Sequence, residues 1–288
     1  MESFSLFFYS IIPEIWFFIL GAALGSFANV CIRRIPAGVS IVSPRSRCGS
    51  CETPIMAHHN IPLLSWLFLG GSCAHCKERI SAEYPLVELL CAVLAVFLYR
   101  EFGISLELLF YLALCTGLVT ITLIDIRHLI IPDMITLPGV AAGVALNAIR
   151  TDWGAAAEAV FYSGLADFLP ATASIAIFNS IGGVLLGGGT FLLIATAYRN
   201  LRKKEGMGMG DVKLVAMLGA FFGMWGVLII IFLSSILGTL IGLSVIILRR
   251  KDPGYAIAYG PFLSLSAVLY LLGDGLFLLA GINIGSPG

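Results

Sequence analysis

Four cysteines and two aspartates are the residues whose type and spacing point to chemistry in this 288-residue chain. Cys48-Gly49-Ser50-Cys51 and Cys73-Ala74-His75-Cys76 are two C-x-x-C knuckles with 21 residues between them. Two such knuckles supply four thiolates to one tetrahedral ion, and zinc is the usual occupant of such a closed site. A saturated site has no open position for water, so its expected task is structural: it staples a loop too small to fold on an apolar core of its own. The competing reading, a pair of disulfides, is disfavoured in a reducing compartment. Arg45, Arg47, Lys77 and Arg79 around the knuckles offset thiolate charge or form a solvated face. His75 is left out because four thiolates already fill the shell.

The aspartates stand at the edges of apolar runs, where an ionisable group needs a reason to be. Asp125 ends Thr120-Ile121-Thr122-Leu123-Ile124-Asp125 at the C-terminus of a helix, where a negative side chain opposes the helix dipole and capping explains it poorly. Its bland alternative is a salt bridge to Arg127 or His128. Asp211 closes Gly206-Met207-Gly208-Met209-Gly210-Asp211, just before Lys213 and an apolar helix. An N-cap is its bland alternative, yet alternating glycines before an acid also let another backbone approach closely. Gly208, Gly210 and Lys213 are therefore the expected substrate-binding residues. With no nucleophilic Ser/His set and no open metal site, two carboxylates brought together suggest acid–base activation of water. Asp211, at a helix start beside Lys213, is the expected base and Asp125 the expected acid. Of the other acids, Asp133 fits an N-cap, and Glu88 fits either an interfacial acid or a polar contact inside the bundle.

The elements that must position these residues are read from hydropathy. With 59% hydrophobic and 12% charged residues, the chain lies outside the range of soluble domains. It is expected to be an all-α polytopic membrane protein. Eight apolar windows of about one bilayer crossing lie near 13–32, 84–100, 105–125, 133–149, 175–198, 211–224, 226–248 and 256–280. The sixth and seventh are divided at Phe222-Gly223-Met224-Trp225-Gly226. The expected organisation is a first transmembrane helix (1–32), a zinc-binding cytosolic loop domain (33–83) and a seven-helix core (84–288). Arg33 and Arg34 follow the first apolar run, the reverse of a cleavable signal. With the N-terminus outside, fifteen of the 17 basic residues fall in cytosolic loops, leaving only Arg100 and Arg150 outside. Both aspartates then lie near the cytosolic face. Residues 150–174 read as an external connection. Gly182, Gly183, Gly187, Gly188 and Gly189 allow close helix approach, and Cys31, Cys91 and Cys115 serve as small apolar side chains.

In this order the segments resemble the type IV prepilin peptidases, bacterial members of the GxGD membrane aspartyl proteases. Gly208-Met209-Gly210-Asp211 is similar to the GxGD signature, and Asp125 to Asp133, with Pro132 before the second acid, to the first-aspartate segment. Gly25-Ser26-Phe27-Ala28-Asn29-Val30 with Arg33 and Pro36 resembles the first-span motif. The paired knuckles, Asn60-Ile61-Pro62-Leu63-Leu64-Ser65-Trp66 between them and Tyr84-Pro85-Leu86-Val87-Glu88 after them resemble the bifunctional branch. The resemblance implies that Asp125 and Asp211 are catalytic and that Cys48, Cys51, Cys73 and Cys76 hold the metal. It also implies cleavage of the basic leader of pilin or pseudopilin precursors after a glycine, on the cytosolic side of a bacterial inner membrane. Methylation of the new N-terminus by S-adenosylmethionine follows in the bifunctional branch. Gly71-Ser72 before Cys73 departs from the pattern, where a basic residue is expected. No glycine-rich nucleotide-binding pattern is visible, so the methyl-transfer half rests on the resemblance alone. The partners expected are pilin-like precursors and the lipid bilayer, with no nucleic acid. The alternatives are a GxGD peptidase of other membrane substrates and a zinc-stapled transporter or secretion scaffold. Acids on an ion path would favour the bilayer midplane, whereas both aspartates here sit at one face.

Overall fold

The computed structural model describes residues 2–149, 172–203, 208–249 and 258–273. The described residues are helical, with two isolated β-bridges in the loop after the first helix. The helices are α1 (Glu2–Arg34), α2 (Leu64–Phe68), α3 (Glu83–Phe102), α4 (Leu106–His128), α5 (Asp133–Ile149), α6 (Thr172–Arg202), α7 (Met209–Arg249) and α8 (Gly260–Leu271). Among the described residues, four stretches are long and apolar enough to cross a membrane: Ile11–Arg34, Leu106–His128, Ala176–Arg202 and Met209–Ser244. Helices α5 and α8 are shorter apolar helices, and α3 carries Glu83, Glu88, Arg100 and Glu101 within its 20 residues. The protein is thus a helical membrane protein, and within the described residues the expected apolar windows fall on helices, the sixth and seventh together on α7. The expected external connection lies almost wholly outside the described residues, as do Gly206, Arg150, Arg250 and Lys251.

The chain divides into two compact units, Met1–Ile124 and Asp125–Gly288. In the first, α1 packs on α3 at glycine distance. A Cβ on Gly25 would stand 2.6 Å from the Glu88 Cα, and one on Gly21 would meet the Cys91 carbonyl at 2.5 Å. Backbone contact of this kind is how apolar helices associate where hydrophobic burial offers little drive. Polar bonds fix the register: the Asn29 amide donates to the Tyr84 carbonyl at 3.0 Å, and the Arg33 guanidinium lies 4.4 Å over the Tyr84 ring. Further along, Arg100 forms a two-point ion pair with Glu14, at 3.0 and 2.9 Å. Cys31, Cys91 and Cys115 are buried, as expected of apolar thiols.

The second unit is built around α7, packed on α5, α6 and α8. A Cβ on Gly183 of α6 would run into the carbonyl of Gly219 on α7, and the reverse holds for Gly219. Helix α7 is continuous over 41 residues but breaks its geometry at Gly223 (φ 68°, ψ −171°). That is where the sequence divides two spans, and the positive φ is why a glycine stands there. A break in a membrane helix frees backbone groups that need partners inside the protein. The Asn147 amide donates to the Ala220 and Phe221 carbonyls at 2.9 and 3.3 Å. Ser180 donates to the Ala220 carbonyl at 2.7 Å, and the Asn179 side-chain oxygen accepts the Met224 N–H at 2.9 Å. Three polar side chains from α5 and α6 thereby hold the kink and fix the half of α7 that begins with Asp211.

Candidate active site and metal centre

Asp125 and Asp211 both belong to the second unit. Asp125 lies in the last turn of α4 and is 5% exposed. Asp211 sits in the first turn of α7, two residues past the helix start, so the N-cap reading does not hold for it. Its N–H donates to the Gly208 carbonyl at 3.2 Å, which tightens the glycine run into a turn beneath the carboxylate. The Asp125 side chain lies near enough for its charge to act on the Asp211 carboxylate.

Ile131, in the short link between α4 and α5, packs between the two acids' neighbours. A Cβ on Gly210 would stand 2.7 Å from the Ile131 Cβ, and one on Gly260 would stand 3.3 Å from its Cδ1. Gly210 precedes Asp211, and the Gly260 N–H donates to Asp125 Oδ2 at 2.9 Å. Three chain segments therefore converge: the end of α4, the start of α7 and the start of α8. The third has no signal in the sequence: the stretch 253–267 holds no charged residue, and the bond spans 135 residues of sequence.

This contact also changes the argument about roles. Asp125 does end its own helix, but its carboxylate lies at the N-terminus of α8, so both acids sit at helix starts. The dipole then no longer separates base from acid.

The remaining predicted residues fall as follows. Lys213 donates to both carboxylate oxygens of Asp133, at 2.6 and 2.7 Å, so its ammonium clamps the start of α5 to the start of α7. Asp133 is the first residue of α5 and spends its carboxylate on Lys213 rather than on a cap. A Cβ on Gly208 would meet nothing closer than the Asp211 Oδ2 at 3.6 Å. Gly208 is exposed and borders the carboxylate, whereas Gly210 is tightly enclosed. Glu88 is buried and accepts the Leu63 N–H at 2.7 Å, which settles it as a polar contact. Leu63 has a φ of 61°, unusual for a branched side chain, so Glu88 pins a strained point of the loop to α3. Trp66, donating to the Ile80 carbonyl at 3.2 Å, holds the same segment from the other side.

The cysteine loop shows two copies of one local fold. Glu52 N–H donates to the Cys48 carbonyl and Lys77 N–H to the Cys73 carbonyl. Both donors take positive φ, 54° and 60°. Short bridges, Arg47 to Pro54 and Ser72 to Arg79, close each turn. The four sulfurs lie within 4.8 Å of one another, with Cys48 and Cys76 at 3.8 Å. Four sulfurs placed about 2.3 Å from a tetrahedral zinc are about 3.8 Å apart, so the donor set fits that ion. The hydroxyl and N–H of Thr53 bring the Cys51 thiol down to about 6, and the N–H groups of Cys76 and His75 lower that of Cys73. A Glu78 N–H opposes it, but burial and the neighbouring thiols push Cys76 up to about 12. Without a cation the four thiols do not all ionise together, and a bound divalent ion supplies the missing positive charge.

With this geometry in hand, comparison with known proteins is informative. Residues 19–102 match the Bacterial Peptidase A24 N-terminal domain, and residues 112–243 match the Type IV leader peptidase family. The chain is 34% identical over 278 residues to a prepilin leader peptidase/N-methyltransferase of Stutzerimonas stutzeri, covering 88% of each. It is 34% identical to that of Aeromonas hydrophila, covering 92% of this chain and 93% of the relative. For that of Neisseria gonorrhoeae the identity is 32%, covering 90% of each. No solved structure matches the chain.

Proposed function

The chain belongs to the type IV leader peptidase family, and from that premise we propose that it removes the leader of pilin-like precursors and methylates the amine it exposes, with Asp125 and Asp211 as the peptidase dyad. The observation that carries the reading is the convergence of the two carboxylates, one buried at the end of α4 and the other on the first turn of α7, with Ile131 packed against both of their glycine neighbours.

In this reading one carboxylate takes a proton from water as its oxygen attacks the scissile carbonyl carbon. The other gives its proton to the carbonyl oxygen. Collapse of the tetrahedral intermediate breaks the C–N bond and returns a proton to the leaving amine. The pair titrates as a unit. Gly208, exposed beside Asp211, is suited to an extended backbone, and Lys213 contributes by holding α5 to α7. In this reading the chain crosses an inner membrane eight times with its N-terminus outside, so that both acids face the cytosol within reach of a basic leader; the distribution of basic residues supports that orientation.

Cys48, Cys51, Cys73 and Cys76 would hold a structural zinc, supported by the fit of their spacing to a tetrahedral ion. S-adenosylmethionine would supply the methyl group, and no residue set is assigned to it here.

The test is to incubate the purified protein with a leader-bearing pilin peptide and a labelled methyl donor. Mass spectrometry should show loss of the leader after a glycine and one methyl group on the new N-terminus. Cleavage elsewhere in the peptide, or none, would contradict the reading.

A further inference from the structure

We infer that Gly260, at the start of α8, is a positioning residue for the peptidase: it fixes the Asp125 carboxylate through its N–H and is a glycine to leave that carboxylate room. The inference rests on the dyad proposed above and goes beyond it by adding a third chain segment to the site.

Asp125 is buried and reaches Gly260 N–H at 2.9 Å through Oδ2. That hydrogen bond holds the carboxylate in one orientation. A Cβ on Gly260 would stand 2.7 Å from the same Oδ2, closer than real Cβ contacts come, and Gly260 has no positive φ to explain its identity. Space for the carboxylate is the explanation left. The residue before it is anchored independently: the Tyr259 hydroxyl bonds Ser234 Oγ on α7 at 2.8 Å. Helix α8 is thus moored to α7, the helix that carries Asp211, at the residue next to its contact with Asp125. The two acids are referenced to one frame from both sides.

Alanine at 260 keeps the N–H and a permitted backbone, so its effect is to displace the carboxylate. Misplacing a reacting group by about 1 Å costs on the order of 100-fold in rate, and we expect Gly260→Ala to lower kcat for leader cleavage by about 10- to 100-fold. KM should stay unchanged, and methyl transfer to a pre-cleaved pilin peptide should stay normal in the same preparation. Gly189→Ala on α6, whose added Cβ would meet nothing within 4 Å, is the control and should cleave normally. The double variant Gly260→Ala/Ile131→Val, compared with Ile131→Val alone, removes the Cδ1 that the new Cβ would also crowd. It should remain slow, because Asp125 Oδ2 is still displaced.

Should Gly260→Ala not fold, as read by lost methyl transfer, Tyr259→Phe takes its place. It removes only the mooring hydroxyl and should lower kcat by about 3- to 10-fold with KM unchanged. Normal kcat in Gly260→Ala, or recovery to the Ile131→Val rate in the double variant, overturns the inference; if Gly260→Ala fails to fold, normal kcat in Tyr259→Phe does so. Asp125→Asn, run alongside, separates the two levels. Retained cleavage there removes the dyad itself, whereas an inactive Asp125→Asn with a normal Gly260→Ala removes only the role of Gly260.

Discussion

Gly208 and Gly210, two residues apart and alike in sequence, do different work. Gly210 is closed in by Ile131, with only 2.7 Å available to a Cβ, so Gly210→Ala should destabilise the protein by about 1–3 kcal/mol through overpacking, seen as a lower midpoint of thermal unfolding in detergent. Gly208 is open on that side. Gly208→Ala should leave the midpoint unchanged and raise KM for a leader-bearing peptide; a fall in stability with normal KM would contradict a substrate-facing role. Type and spacing mark Asp125, Asp211 and the four cysteines as candidates, and the four sulfurs do cluster. Gly260 is not so marked: a glycine whose job is to leave space has no local signature, and its partner is 135 residues away.

Helix α7 shows what local sequence conveys at the level of an element. The glycines around Trp225 marked a break, and Gly223 supplies it. The residues that make the break affordable in lipid, Asn147, Asn179 and Ser180, lie 40 to 74 residues away from the backbone groups they satisfy. Within their own helices they look like ordinary polar interruptions. Asn147→Ala would leave the Phe221 carbonyl without that donor and should cost about 1–3 kcal/mol, measured by thermal or denaturant unfolding, with cleavage falling as the first half of α7 loses its fixed direction. Unchanged stability would mean that the kink does not depend on Asn147. Helix ends were predicted well for α4 and α5, where charge or proline stops the apolar run. The roles of Asp125 and Asp211 are not separable from the sequence, which shows the helix each acid stands on but not the start of α8 beside Asp125.

For the molecule as a whole, the reading assigns the metal to architecture and the aspartates to peptide cleavage. Zinc analysis should find one ion per chain. Its removal by a chelator should make the loop around Arg47 and Arg79 rapidly cleavable by trypsin, as expected when ion binding substitutes for a core; protease resistance without metal would count against a structural zinc. The family segments at residues 19–102 and 112–243 fall largely in the first and second compact units, the first carrying the cysteine loop and the second both acids. The measurement that bears most directly on this account is leader cleavage by Asp125→Asn, Asp211→Asn and the double variant, each certified as folded by normal methyl transfer to a pre-cleaved pilin peptide. Residues acting as one unit lose activity non-additively. The account predicts that each single variant is as inactive as the double, and measurable cleavage by either single variant would contradict it.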